Sequence, residues 1–258
     1  MRRFWLHNQR LIASIAVTAA VVILWAVTVS VFQVRKFIVP SPAEVIADLV
    51  ANWPYFLQQA FHTIWATLVG FALAMIIGLV LAIGIAYSRF LDLTLYTLLV
   101  AINSVPKVAV APLFVIWLGA GLEPKIAVAM LIAIFSIVID AVLGLRSVEP
   151  DALSLARVSR ASALQTLLKI RLPSALPSIF AGMKAGISFA LVGTIVGEFV
   201  VGQNGLGATI LLAQGMFDTT RAFAAILLLG IIGLALFFAL EMLERYLLPW
   251  HVSQRTTH

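Results

Sequence analysis

Long apolar runs alternate with short polar connections along almost the whole chain. The first, Leu11–Val34, carries no charge and is long enough to cross about 30 Å of hydrocarbon at roughly 1.5 Å per residue. Further runs cover about 61–87, 93–118, 126–145, 175–201 and 222–240. Together they predict an all-α polytopic membrane protein, a single transmembrane domain over 1–258 with about six spans. A secretory signal has a shorter apolar region of about 7–15 residues and a small-residue cleavage site. Neither is present here, so the first run reads as a retained span with its N-terminus inside.

Details inside the runs refine this. Gly70, Ala74, Gly78 and Ala82 recur four apart, a small-residue row that lets another helix approach closely. In the fifth run Gly182, Gly186, Gly193 and Gly197 fall within about 60° of arc at roughly 100° per residue. That seam reads as a packing face, within the chain or against a second subunit. Pro106 and Pro112 interrupt the third run; each removes a backbone donor and crowds the preceding turn, predicting a kinked span. Broken helix at membrane depth persists only where protein or a watery cavity covers it. Asn103 and Lys107, beside the break, are therefore candidate pathway residues. Between the first two runs, Ser41 is placed to cap a short helix starting at Pro42.

The one long polar interruption is Glu149–Pro173, EPDALSLARVSRASALQTLLKIRLP. Ala152, Leu155 and Ala156 share one side of a first short helix, roughly Asp151–Ser159. Ser162 and Gln165 have the spacing of a capping box that opens a second helix. Leu164, Leu167, Leu168 and Leu172 line one face of that helix; Pro173 and Pro177 follow, and the fifth span begins. The pattern is a helical hairpin outside the bilayer, between spans four and five.

Composition agrees. Hydrophobic residues make up 62% of the chain and charged residues 11%, against about 25% charged in soluble domains. The net charge of +6 reads as orientation. Six spans with both ends inside put Arg2, Arg3, Arg10, Arg89, Arg146, Arg157, Arg160, Lys169, Arg171, Lys184, Arg245 and Arg255 on the inner side. Arg35, Lys36, Lys107, Lys125 and Arg221 remain outside. Twelve of the 17 basic residues then lie inside, as the positive-inside rule requires, and the hairpin is cytoplasmic.

Catalytic signals are absent. There are no cysteines, no HExxH, GxSxG or Walker A pattern, and the four histidines show no metal-ligand spacing. No basic stripe with interleaved aromatics points to nucleic acid. An enzyme is not expected, nor a cofactor or metal bound by this chain. Ionisable residues near membrane depth are the remaining candidates: Lys107, Asp140, Lys184 and Glu198. Asp140 and Lys184 are expected at the inner interface. Glu198 precedes, and Gln203 lies in, the outer, glycine-rich segment Gly202–Arg221, whose Gly202–Gly207 stretch reads as a turn; Glu198 there either pairs structurally or meets substrate.

The hairpin resembles the coupling loop of bacterial ABC importer permeases. Ile170, Leu172 and Pro173 match the end of that loop's pattern, Ala156 its second alanine, and Ala161–Ser162 the pair after its glycine. Ser154 and Leu155 stand where Glu and Ala are usual, and Arg160 stands at the glycine, where a left-handed backbone would cost it roughly 1 kcal/mol or more. FIVPSPAEVIADL, SVPKVAVAPLFVIWLGAG and GEFVVGQNGLGATI are similar to the subgroup serving nitrate, sulfonate, taurine, bicarbonate and some vitamin precursors. The resemblance implies a homodimer of permeases in the bacterial inner membrane, two cytoplasmic ATPases holding ATP and Mg, and an extracytoplasmic binding protein. It also implies ATPase-coupling roles for Asp151, Leu155, Ala156, Arg157, Arg160, Ala161, Ser162, Gln165, Leu172 and Pro173. The classes weighed against it are a secondary carrier, which would show internal repeats and a central ionisable cluster, and a channel.

Overall fold

The computed structural model describes residues 2–103 and 105–249; His251, Arg255 and His258 lie outside them. Among the described residues all regular structure is helical. The order is α1 (Arg2–Val31), α2 (Pro42–Ala51), α3 (Trp53–Tyr87), α4 (Arg89–Leu91), α5 (Thr97–Asn103), α6 (Ala111–Leu118), α7 (Glu123–Arg146), α8 (Pro150–Val158), α9 (Ala163–Thr166), α10 (Leu172–Val201), α11 (Leu206–Gly215) and α12 (Thr219–Leu247). π turns at Asp92–Tyr96 and Leu167–Arg171 and a 3₁₀ turn at Lys107–Val110 join some of them.

Trp53–Tyr87, Glu123–Arg146, the joined run Ala163–Val201 and Thr219–Leu247 are each long and apolar enough to cross a membrane. Arg89–Asn103 and Lys107–Leu118 add a fifth crossing if the pair is one span, but it is bent by 89° at the break. That is sharper than the expected kink. Pro106 precedes the 3₁₀ turn, and only this proline marks the break. Pro112, expected to break the span again, lies in the first turn of α6, where a missing N–H has no partner to lose. Ala16–Val31 of α1 is a shorter apolar stretch whose Val21, Leu24 and Val31 are exposed.

The core is a three-helix stack of α3, α7 and α10. Lipid offers no hydrophobic drive between helices, so close backbone approach must supply the contact. The glycine seam of α10 provides it, and it lies against α7 of the same chain. A Cβ added at Gly193 would sit 2.7 Å from Ala129 Cα and 2.9 Å from Val128 O; one at Gly197 would sit 2.8 Å from Lys125 Cα. A Cβ at Gly70 of α3 would lie 2.6 Å from the Cβ of the same Ala129, and α3 also meets α10 directly, with Thr67 Oγ1 donating to Thr194 Oγ1 at 3.0 Å. α7 thus packs against two adjoining small-residue rows.

α12 closes the stack over α10. It runs to Leu247, past the expected end near 240, and so carries Glu244 to Lys184, Nζ to Oε2 2.7 Å. Lys184, read as an interface residue, is a half-buried ion-pair partner. On the outer side Ser41 caps α2 as expected: its Oγ accepts from Glu44 N–H, and Glu44 Oε2 accepts from Ser41 N–H at 2.9 Å. These bonds, the backbone one first, hold the Glu44 carboxyl below its usual range.

Gly193→Ala is expected to destabilise the fold by roughly 1–3 kcal/mol, because only backbone could give way. Gly230→Ala, with nothing within 4 Å of the new methyl, is expected to be neutral or slightly stabilising. Thermal unfolding in detergent distinguishes them.

Candidate functional site

The hairpin is built from the caps its sequence encodes. α8 ends in a Schellman motif: Ala161 N–H donates to Ala156 O at 2.9 Å and Arg160 N–H to Arg157 O at 3.0 Å. Arg160 has φ +52°, so it does carry the left-handed conformation at the glycine position. Ser162 then caps α9. Gln165 N–H donates to Ser162 Oγ at 3.2 Å and Ser162 N–H to Gln165 Oε1 at 2.9 Å. The second helix does not end before the fifth span. Leu172 N–H reaches back to Leu167 O across the π turn, and α9 continues into α10 as one helix of 39 residues, Ala163–Val201. Pro173 then falls in the first turn after the register change, where its missing donor is tolerated.

Ala156 faces inward, 5% exposed. Leu155 (67%) and Val158 (83%) face outward, and Leu164 and Leu168 are also exposed. The hairpin therefore presents an apolar patch flanked by exposed Asp151, Arg157 and Arg160. Its base is tied to the span ends. Tyr87 donates its hydroxyl to Ala163 O at 3.4 Å, the Arg171 guanidinium lies 4.8 Å from the Tyr87 ring centre, and Arg146 pairs with Asp92 at 2.7 Å.

A second feature lies along the broken span. A cavity of about 290 Å³ is lined by Asn103 and Lys107 from the break and by Ile132, Phe135, Ser136, Ile139 and Asp140 from α7, with Phe189 from α10. The α7 residues share one face because they recur at three- and four-residue spacing. Lys107 Nζ donates to Asn103 Oδ1 and sits 4.3 Å from the Phe135 ring centre. Asp140 has no hydrogen-bond or ion-pair partner among the described residues. Gly182 makes room for it: a Cβ there would lie 2.8 Å from Asp140 Cβ.

Near the C-terminal end of α10 Glu198 is 0% exposed and fully engaged. Thr63 Oγ1 donates to its Oε1 at 2.8 Å and Gly207 N–H to its Oε2 at 2.7 Å. Thr63 Oγ1 also accepts from Leu206 N–H at 2.9 Å, and Gln59 Oε1 from Gly205 N–H at 2.7 Å. Lys125, itself buried, donates to Asn204 O at 2.7 Å. The free N–H groups at the start of α11 are thus met by side chains of α3 and α10. Gly205 (φ +110°) must be glycine twice over, since a Cβ would also overlap the Glu198 carboxylate.

The sequence profile of the family described as binding-protein-dependent transport system inner membrane component matches residues 74–250. The chain belongs to this family. It is 39% identical over 233 residues to the riboflavin transport system permease protein of Chloroflexus aurantiacus, covering 90% of this chain and 87% of the relative. It is 28% identical over 233 residues to the formylaminopyrimidine transport permease protein of Halalkalibacterium halodurans, covering 90% and 93%. The MetNI methionine ABC transporter in inward-facing conformations shares the fold, with TM-score 0.66 at 20% identity over 76% of this chain and 97% of that chain. The protein is an integral membrane permease subunit of an ABC importer, a transport component and not an enzyme.

Of the permease's expected pathway residues, Asn103 and Lys107 meet in the cavity; Glu198 and Gln203 do not line it. Glu198 is consumed by the α11 clasp and Gln203 is exposed in the outer loop. The turn expected over Gly202–Gly207 runs as far as Gly205, and the helix α11 follows it. Asp140, read as an interface residue, lines the cavity, while Ser136, Phe189, Gln59 and Thr63 went unnoticed and Lys125 was read only as an outer charge. Ser136 and Asp140, one turn apart beside Phe135, were the available signal for the cavity. Small residues facing an acid, Gly205 and Gly207 after Glu198, were the signal for the clasp.

Glu198→Ala leaves Thr63 and the Gly207 N–H without their acceptor and is expected to cost roughly 3 kcal/mol or more, at about 1.5–3 kcal/mol per bond to a charged group. Gln203→Ala, exposed, is expected to change nothing. Melting of the purified permease in detergent compares the two.

Proposed function

We propose that two copies of this permease form a homodimer that carries a small anion or small organic solute inward across the bacterial inner membrane, with both termini cytoplasmic. A cytoplasmic ABC ATPase dimer, holding ATP and Mg, drives it, and an extracytoplasmic binding protein delivers the solute. The observation that carries the reading is the hairpin: Leu155, Val158, Leu164 and Leu168 are left exposed on a tightly capped scaffold. Such a patch on an otherwise polar loop suits docking into a protein groove.

In this mechanism Asp151, Arg157 and Arg160 rim the docked patch, and Ala161, Ser162 and Gln165 keep the turn rigid. Leu172 and Pro173 lie where the hairpin passes into the membrane helix. ATP binding closes the ATPase dimer and moves both hairpins. Because α9 and α10 are one helix, that movement reaches the membrane part directly and turns the permease from inward-facing to outward-facing. Hydrolysis resets it. The relatives named for riboflavin and formylaminopyrimidine transport support a vitamin-precursor solute, and the cation at the cavity equally suits a small anion.

The tests are affinity purification and uptake. Wild-type protein is expected to retain an ATPase subunit. Ala156→Asp, which buries a charge under the patch, is expected to lose it, and Arg157→Glu to hydrolyse ATP with uptake reduced at least tenfold. An ATPase absent from well-folded wild-type samples, with and without nucleotide, would overturn the docking role.

A further inference from the structure

We infer that the cavity along the broken span is a solute-binding site for a compact amphoteric molecule, one end anionic or hydrogen-bond accepting and the other cationic or hydrogen-bond donating. The inference rests on the importer reading and narrows its substrate.

Opposite charges line this one cavity and are not paired with each other. Lys107 is held by Asn103, one turn back across the break, and by the Phe135 ring. An ammonium has three donors, so at least one remains for a ligand. The amide of Asn103 still has its own donors. These groups form the accepting end's partner. Asp140 forms the other: its carboxylate opens onto the cavity and receives no donor from the described residues. A carboxylate within a span without a partner is costly and marks a functional position. A ligand that bridges the two charges meets both needs at once, and a molecule with only one of its ends meets half. The volume of about 290 Å³ lies at the lower edge of the roughly 300–1,000 Å³ usual for ligand pockets, so the solute is compact. Ile132, Ile139 and the exposed face of Phe189 supply the apolar wall.

Gly182 ties the site to the fold. Its missing side chain is the space in which Asp140 stands. The same helix, α10, begins at the hairpin, so a shift of α10 against α7 changes where Asp140 stands relative to Lys107. The site is thereby coupled to the moving part without any added element.

The experiment uses the full chain in lipid nanodiscs, alone and with its co-purified ATPase. Calorimetric titration compares amphoteric probes (taurine, β-alanine and cytosine) with single-ended ones (ethanesulfonate, propionate and ethylamine). At least one amphoteric probe is expected to bind tenfold or more tightly than every single-ended one. Asp140→Asn is expected to abolish the preference for the amine end and Lys107→Gln that for the acid end. Asp140→Glu is expected to restore part of the binding. Melting temperature and ATPase retention are expected to be unchanged in all three variants. No saturable binding of any amphoteric probe, binding indifferent to both neutral substitutions, or a melting temperature that falls with Asp140→Asn would overturn the site. Loss of the ATPase from wild type, with probe binding intact in the isolated chain, would instead sink the proposed docking of the hairpin and leave the site standing.

Discussion

The backbone contact between α7 and α10 governs this structure. In water a helix pair is driven together by burying apolar surface, but in lipid the tails are as apolar as leucine, and only close packing distinguishes helix from lipid. Gly182, Gly186, Gly193 and Gly197 bring the two backbones within reach along most of α10, and Gly70 and Gly78 bring α3 against the same stretch of α7, beside α10. Everything else hangs on that stack. α12 attaches through Lys184 and Glu244, α11 through the buried clasp at Glu198, and the cavity is the space left where the broken span fails to cover α7.

The polar groups divide by what surrounds them. At the outer end a carboxylate, a lysine, a glutamine and a threonine are wholly buried and satisfied by backbone groups of one loop, which fixes that loop. Along the broken span a lysine and an aspartate are left facing open space. Both sets are costly to place in a membrane. The first set offsets its cost within the protein, and the second does not, which is why the two ends are assigned different work.

Where a local rule decided the conformation, it could be read from the residues. The capping boxes at Ser41–Glu44 and Ser162–Gln165 and the left-handed residue at Arg160 each depend on a few neighbouring atoms, and the structure has them. The glycine seam was visible as a stripe, but its partner was not, because a stripe does not name the helix it meets. Proline was read too strongly at Pro112, which sits in the first turn of α6, where a missing donor costs little. Glu198 was legible as a buried acid at the outer mouth and illegible as a clasp, because Thr63 is 135 positions away in sequence.

The fusion of α9 with α10 has a mechanical consequence. A helix of 39 residues is a shaft about 58 Å long at 1.5 Å per residue. Rotating such a shaft by roughly 10° about one end carries the other by about 10 Å, with side-chain geometry along it preserved. A flexible joint between hairpin and span would take up part of that stroke as backlash. Here the soft points, the π turn at Leu167–Arg171 and Pro177, both lie at the hairpin end of the helix. Whatever turns the helix beyond Pro177 therefore turns Gly182, Gly193 and Glu198 in the same stroke, and the clasp at Glu198 responds in phase with it.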